Sequence, residues 1–167
     1  MRVVPALSTE FTVESFWYNP NIHPREELGN RRKSLEEYAA SAGRKLHFKE
    51  EETMERWIEE FSALGLERCR FCYTLRIDAT ARAAKERGIG YFSTTLLASP
   101  YQKHEMIKEI AAASAKRENI CFVYRDFRPH YFDGKNEAYN KGYYLQKYCG
   151  CIFSKEERVK EKQLKRK

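Results

Sequence analysis

Strand-like stretches alternate with helix-like stretches along the whole chain, with no hairpin signal between them. Residues 11–18 alternate apolar and polar side chains, as a half-buried strand does. The stretch breaks at Asn19-Pro20-Asn21-Ile22-His23-Pro24, which is dense turn chemistry. Pro24 suits the first turn of a charged surface helix over 25–42, closed by Gly43. The spacing then predicts a short strand over 45–48, a helix over 53–63 and a helix over 70–87 that stops at Gly88. A buried strand over 91–97 follows, then a helix over 101–117, a strand over 120–124 and a helix near 135–146. Residues 1–10 read as the end of a helix without its start. This order predicts a single α/β domain over 1–167, with a mostly parallel sheet and helices on both faces. Ligands of such sheets sit at the carboxyl ends of the strands.

Cysteine placement narrows the chemistry. Cys69 and Cys72 form a C-x-x-C step at the start of a helix, where the helix N-terminus favours the thiolate. Cys149-Gly150-Cys151 puts two more thiols one residue apart, with a glycine that frees the backbone between them. The pairs are too far apart in sequence for a local zinc finger, so the tertiary fold must bring them together. A thioredoxin-type C-x-x-C would leave Cys149 and Cys151 unexplained. A structural zinc on all four cysteines and a redox cofactor both remain open at this level. Cys121, inside an expected strand, reads as a small core residue.

Polar side chains cluster where the strands should end. Asn19 and Asn21 follow the first strand, Ser93, Thr94, Thr95 and Ser99 lie at the third, and Asp126 and Arg128 follow the last. Each has a local alternative: turn formation for the asparagines, capping for the hydroxyls, mutual pairing for Asp126 and Arg128. His23 and His104 fall near the same rim, whereas His47 and His130 read as surface residues. There is neither a P-loop nor a G-x-G-x-x-G fingerprint.

Net charge is +7, from 31 Lys and Arg against 24 Asp and Glu, which suits a polyanionic partner such as RNA. Much of the excess sits in the tail over 155–167, and such runs are usually just solvated. No apolar run approaches a membrane span and no signal peptide is recognisable, which predicts a soluble, cytosolic protein with no membrane partner.

Five ordered segments together resemble the QueH family of cobalamin-independent epoxyqueuosine reductases. They are Phe16-Trp17-Tyr18-Asn19-Pro20-Asn21-Ile22-His23-Pro24, Glu67-Arg68-Cys69-Arg70-Phe71-Cys72, the run Ser93-Thr94-Thr95-Leu96-Leu97-Ala98-Ser99-Pro100-Tyr101, Asp126-Phe127-Arg128, and Tyr148-Cys149-Gly150-Cys151-Ile152-Phe153-Ser154. The resemblance covers residues 11–158 and leaves 159–167 as a basic tail. It implies a Rossmann-like fold related to the PP-loop and HUP proteins. The implied activity is conversion of epoxyqueuosine to queuosine in the tRNA anticodon loop, the last step of queuosine synthesis, with electrons from a donor the sequence does not identify.

The resemblance also implies a 4Fe-4S cluster with an adjacent mononuclear metal ion, on a cysteine set that includes Cys69, Cys72, Cys149 and Cys151. It makes His23, Asp126 and Tyr148 candidate acids, and Tyr18, Asn19, Asn21, Thr94, Thr95, Ser99 and Arg128 candidate substrate contacts. Family members begin with a strand and a Cys-Cys-x-Pro segment, and no cysteine lies upstream of Phe11. The expectation is therefore a sheet lacking its first, central strand, with inner edges left unpaired and a site that is recognisable yet incomplete. Two rivals come from other classes: a non-catalytic RNA-binding protein with a structural zinc, and an ATP-using tRNA-modifying enzyme of the PP-loop kind.

Overall fold

The computed structural model describes residues 2–49 and 67–164. The helix expected over 53–63 lies outside them. A short helix α1 (Val3–Leu7) precedes strand β1 (Ser15–Trp17), helix α2 (Arg25–Ser41) and strand β2 (Leu46–Phe48). Helix α3 (Arg68–Glu86) leads to strand β3 (Tyr91–Phe92), a 3-10 turn (Thr95–Ala98), helix α4 (His104–Glu118) and strand β4 (Cys121–Phe122). A second 3-10 turn (Arg128–His130), helix α5 (Tyr131–Asn140) and helix α6 (Ile152–Leu164) complete the order.

Local chemistry sets the helix limits. Glu26 and Glu27 occupy the first turn of α2, where they oppose the positive end of the helix dipole. Gly43, at φ +59°, turns the chain so that the Arg44 amide donates to the Ala39 carbonyl at 2.8 Å. Gly88 plays the same part after α3, at φ +69°, with the Ile89 amide donating to Ala84 at 2.9 Å. Asn119 does so after α4 in the left-handed region, φ 53°.

The fold is α/β with parallel strand pairing throughout the described residues. β1 pairs with β2, Phe16 opposite His47, and β3 pairs with β4, Phe92 opposite Phe122. Each pair is joined through a helix, α2 for the first and α4 for the second, so each is a strand–helix–strand unit. The two pairs do not hydrogen-bond to each other and form two sheets, where strand–helix alternation alone predicts one sheet and the family resemblance predicts unpaired inner edges. The core lies where α3 packs on α4, around Ile77, Ala81, Leu97, Ile107, Ala111 and Phe127, with Val3 and Leu7 of α1 against it. Alanines at 81, 84, 111 and 115 leave little bulk at that contact, which lets the two helices approach closely.

Several expectations are corrected. The run 91–97 is not a buried strand: Tyr91 is 55% exposed, and pairing stops after Phe92. Thr94 ends it, because its hydroxyl accepts from the Leu96 amide at 3.3 Å and starts the 3-10 turn. Cys121 is exposed, not core, because its strand pairs for only two residues at the sheet edge. The helix expected near 135–146 begins earlier, at Tyr131, and ends at Asn140.

Candidate functional site

Helix α3 carries Cys69, Cys72, Tyr73 and Arg76 at helical spacing, so the four share one face near its N-terminus. The loop before α6 brings Cys149 and Cys151 to that face. All four cysteines line one small cavity with Asn21, Arg68, Tyr73, Arg76 and Gln102. Tertiary structure therefore unites the two pairs. The Cys149 and Cys151 sulfurs stand 3.7 Å apart. Among the described residues, no three Cys, His, Asp or Glu side chains are gathered tightly enough to hold a single metal ion.

The thiols differ sharply in acidity. Hydrogen bonding with Cys151 and Ser154 holds Cys149 below the usual thiol range against the opposing effect of burial. The same interaction pushes Cys151 up. Burial raises Cys72, and the nearby Arg76 charge works against that rise. Tyr73 is pushed up to about 12 by burial, and its hydroxyl donates to Gln102 Oε1 at 2.6 Å.

Asn21 is buried at the cavity wall. Its amide donates to the Cys72 sulfur at 3.1 Å, and its Oδ1 has no hydrogen-bond partner among the described residues. Arg76 donates to Asn19 Oδ1, which ties the first turn to α3. Four thiols, with amide and guanidinium donors aimed at the Cys72 sulfur, fit a thiolate-bound group.

The loop 148–151 is held from α2. Arg31 donates to the carbonyls of Tyr148 (2.8 Å) and Cys149 (3.0 Å), and its charge pairs with Glu27 at 2.8 Å. Both members of that pair are about nine-tenths buried, with side-chain exposures of 9%. The Tyr144 hydroxyl donates to Glu27, which pushes the phenol up to about 12. The Tyr148 hydroxyl donates to the His23 carbonyl, and the His23 amide donates to the Gly150 carbonyl at 2.9 Å. Tyr148 is raised by burial and by the Glu27 charge, so it stays protonated at neutral pH. Tyr18 is buried, with Lys49 4.4 Å above its ring.

The strand-end residues of the second unit form a separate group, and none of them lines the thiol cavity. Thr94 caps the 3-10 turn that Thr95 begins, and Ser99 Oγ accepts from the Tyr101 amide at 3.3 Å. Arg128 grips Asp126 through two nitrogens and lowers its carboxyl to about 2. His104 is buried, with Nε2 3.2 Å from the Ser99 carbonyl. Gln102 and Tyr73 link this group to the cavity.

Sequence reasoning missed Arg76, Tyr73, Arg68, Gln102, Glu27 and Arg31. Tyr73 and Arg76 carried a readable signal, since each lies four positions beyond a cysteine, Tyr73 beyond Cys69 and Arg76 beyond Cys72, on one helix stripe. Arg31 carried none.

Residues 1–157 match the family model described as epoxyqueuosine reductase QueH. A Dehalococcoides mccartyi protein named epoxyqueuosine reductase QueH is 37% identical over 148 residues, covering 89% of this chain and 81% of that protein. The protein of the same name from Thermotoga maritima is 35% identical over 174 residues, covering 96% and 91%. One from Helicobacter pylori is 30% identical over 154 residues, covering 85% of this chain and 42% of that protein.

Proposed function

The chain belongs to the epoxyqueuosine reductase QueH family, and on that footing we propose that it reduces epoxyqueuosine to queuosine in the anticodon loop of tRNA. The observation that carries this reading is the convergence of Cys69, Cys72, Cys149 and Cys151 on one cavity. Loss of the epoxide oxygen as water consumes two electrons and two protons, and an external reductant supplies the electrons. The four cysteines are the residues that would hold an iron–sulfur cluster. Such a cluster, with a neighbouring metal ion, supplies single-electron relay and polarisation of the departing oxygen.

The remaining work falls to the side chains around it. Asn21 and Arg76 favour ionised sulfur at Cys72 by donating to it and by opposing its charge. Tyr148 is the proposed proton donor: it is protonated at neutral pH and precedes Cys149, and its hydroxyl must leave the His23 carbonyl to act. His23 shares that corner through its backbone bonds to Tyr148 and Gly150. Asp126, lowered to about 2 by Arg128, is ionised and cannot donate a proton at neutral pH. Asn21, with its unsatisfied Oδ1, is the substrate contact nearest the thiols. Tyr18, Asn19, Thr94, Thr95, Ser99 and Arg128 complete the proposed substrate set. Among the described residues no helix is long and apolar enough to cross a membrane, and a tRNA substrate puts the enzyme in the cytoplasm.

The test is anaerobic reconstitution with iron and sulfide, followed by digestion of epoxyqueuosine-containing tRNA and mass detection of queuosine. The expected result is a brown protein that forms queuosine, with both colour and product lost in Cys72→Ser and Cys151→Ser. A colourless protein that holds one zinc and leaves the tRNA unchanged would sink the reading.

A further inference from the structure

Three aromatic rings stand in contact beside the thiol cavity without a role in the core. Tyr101 and Tyr131 meet edge to face at 6.0 Å between centroids, and Tyr131 meets Phe132 in the same way at 5.3 Å. The outer two are strongly exposed, Tyr101 at 78% and Phe132 at 64%. Scattered exposed aromatics need no explanation, but a contiguous exposed cluster marks a contact surface.

Two observations say what covers it. Tyr101 directly precedes Gln102, which lines the thiol cavity, so the cluster begins at the cavity wall. Arg158 of α6 lies within electrostatic range of the Tyr131 phenol. α6 lies beside the cavity: Arg68 of α3 pairs with Glu157 at 2.5 Å and sits 5.6 Å over the Phe153 ring. The cluster is thus flanked at Arg158 by a helix whose Lys155, Arg158, Lys160 and Lys162 outnumber Glu156, Glu157 and Glu161, on a chain of net charge +7. Aromatic rings interleaved with cations suit a single-stranded nucleic acid, whose bases stack while its phosphates meet the charges. An apolar protein partner would gain nothing from the basic flank.

From this placement we infer that Tyr101, Tyr131 and Phe132 form a stacking platform for unpaired RNA bases beside the mouth of the thiol cavity, with Arg158 of α6 meeting the phosphates. This deepens the tRNA reading above and rests on it. The platform holds the loop open while the target base lies against the mouth of the cavity, so the rings set affinity for a splayed loop rather than for a duplex.

The experiment titrates the full-length reconstituted protein with a synthetic anticodon stem-loop carrying 2-aminopurine beside the target position. Wild-type protein is expected to bind it and quench the fluorophore by stacking. Tyr101→Ala and Phe132→Ala are each expected to weaken binding about 5- to 150-fold and to relieve the quench, as loss of one base–ring stack does. Tyr101→Phe and Phe132→Tyr keep a ring and should bind like wild type. Arg158→Gln should weaken binding and flatten its salt dependence. Because the rings are exposed, circular dichroism should show all variants folded.

If wild type binds and the alanine variants bind equally well with the quench intact, the platform is wrong and the tRNA reading survives. If wild type does not bind the stem-loop, both fail. If the alanine variants change sedimentation instead of RNA affinity, the cluster is a contact between copies and the inference is overturned.

Discussion

Gly150 sets the tightest limit on the site. It sits at φ +122°, and a Cβ there would lie 2.9 Å from Ile22 Cγ1 and 3.1 Å from Arg31 Nη1. Neither the backbone angle nor the space admits a side chain. Gly150→Ala is expected to cost about 1–3 kcal/mol of stability and to push Cys149 and Cys151 away from α3. Denaturant melts and iron content after reconstitution measure the two effects. A variant that melts like wild type and loads fully would show the loop to be more tolerant than its geometry. The cysteines themselves were legible in the sequence, because two close pairs in a chain of this length demand a shared purpose. Their supporting side chains were not. Arg31 reaches carbonyls 117 and 118 positions away, and Tyr144 reaches Glu27 across 117 positions, so neither contact leaves a local pattern.

At the scale of the element, α2 is more than the connection between β1 and β2. One turn of it, Glu27 to Arg31, supplies a buried ion pair whose free donors hold the thiol loop. Removing one partner strands the other charge away from water. Arg31→Met should therefore cost about 3–5 kcal/mol, and Glu27→Leu with Arg31→Met should cost less than Arg31→Met alone. Urea melts decide this, and iron loading should fall in both, since neither restores the carbonyl bonds. Helices were the legible elements: their apolar spacing, with glycine stops for α2 and α3, placed α2, α3 and α4 within a few residues. Strands were over-read. The apolar run 91–97 looks like a strand because hydrophobicity alone does not reveal that the Thr94 side chain competes for the backbone and starts a turn.

For the whole molecule, alternation of strand and helix foretold parallel pairing and an α/β fold, and both are present. The break between the two sheets was legible only through the family resemblance, because periodicity shows that strands exist and not which ones pair. The cavity lies between parts of unequal anchorage. Cys69 and Cys72 rise from α3, which contributes Phe71, Tyr73 and Ile77 to the buried interior. Cys149 and Cys151 sit between α5 and α6 in a stretch, 141–151, with no helix or strand, and α6 buries none of its residues. Any group that bonds to both pairs acts as a stitch between a firm half and a loose one, closing a long loop of chain much as a disulfide would. Brief trypsin treatment should expose this. The empty protein is expected to be cut at Lys141 and Lys147 and to shed α6 while its remaining helices persist. The loaded protein should resist at both sites, and equal cutting of the two forms would mean that the stitch does not reach across. Colour and protease resistance would then be lost together, so a protein damaged by air would become a substrate for degradation before it unfolds.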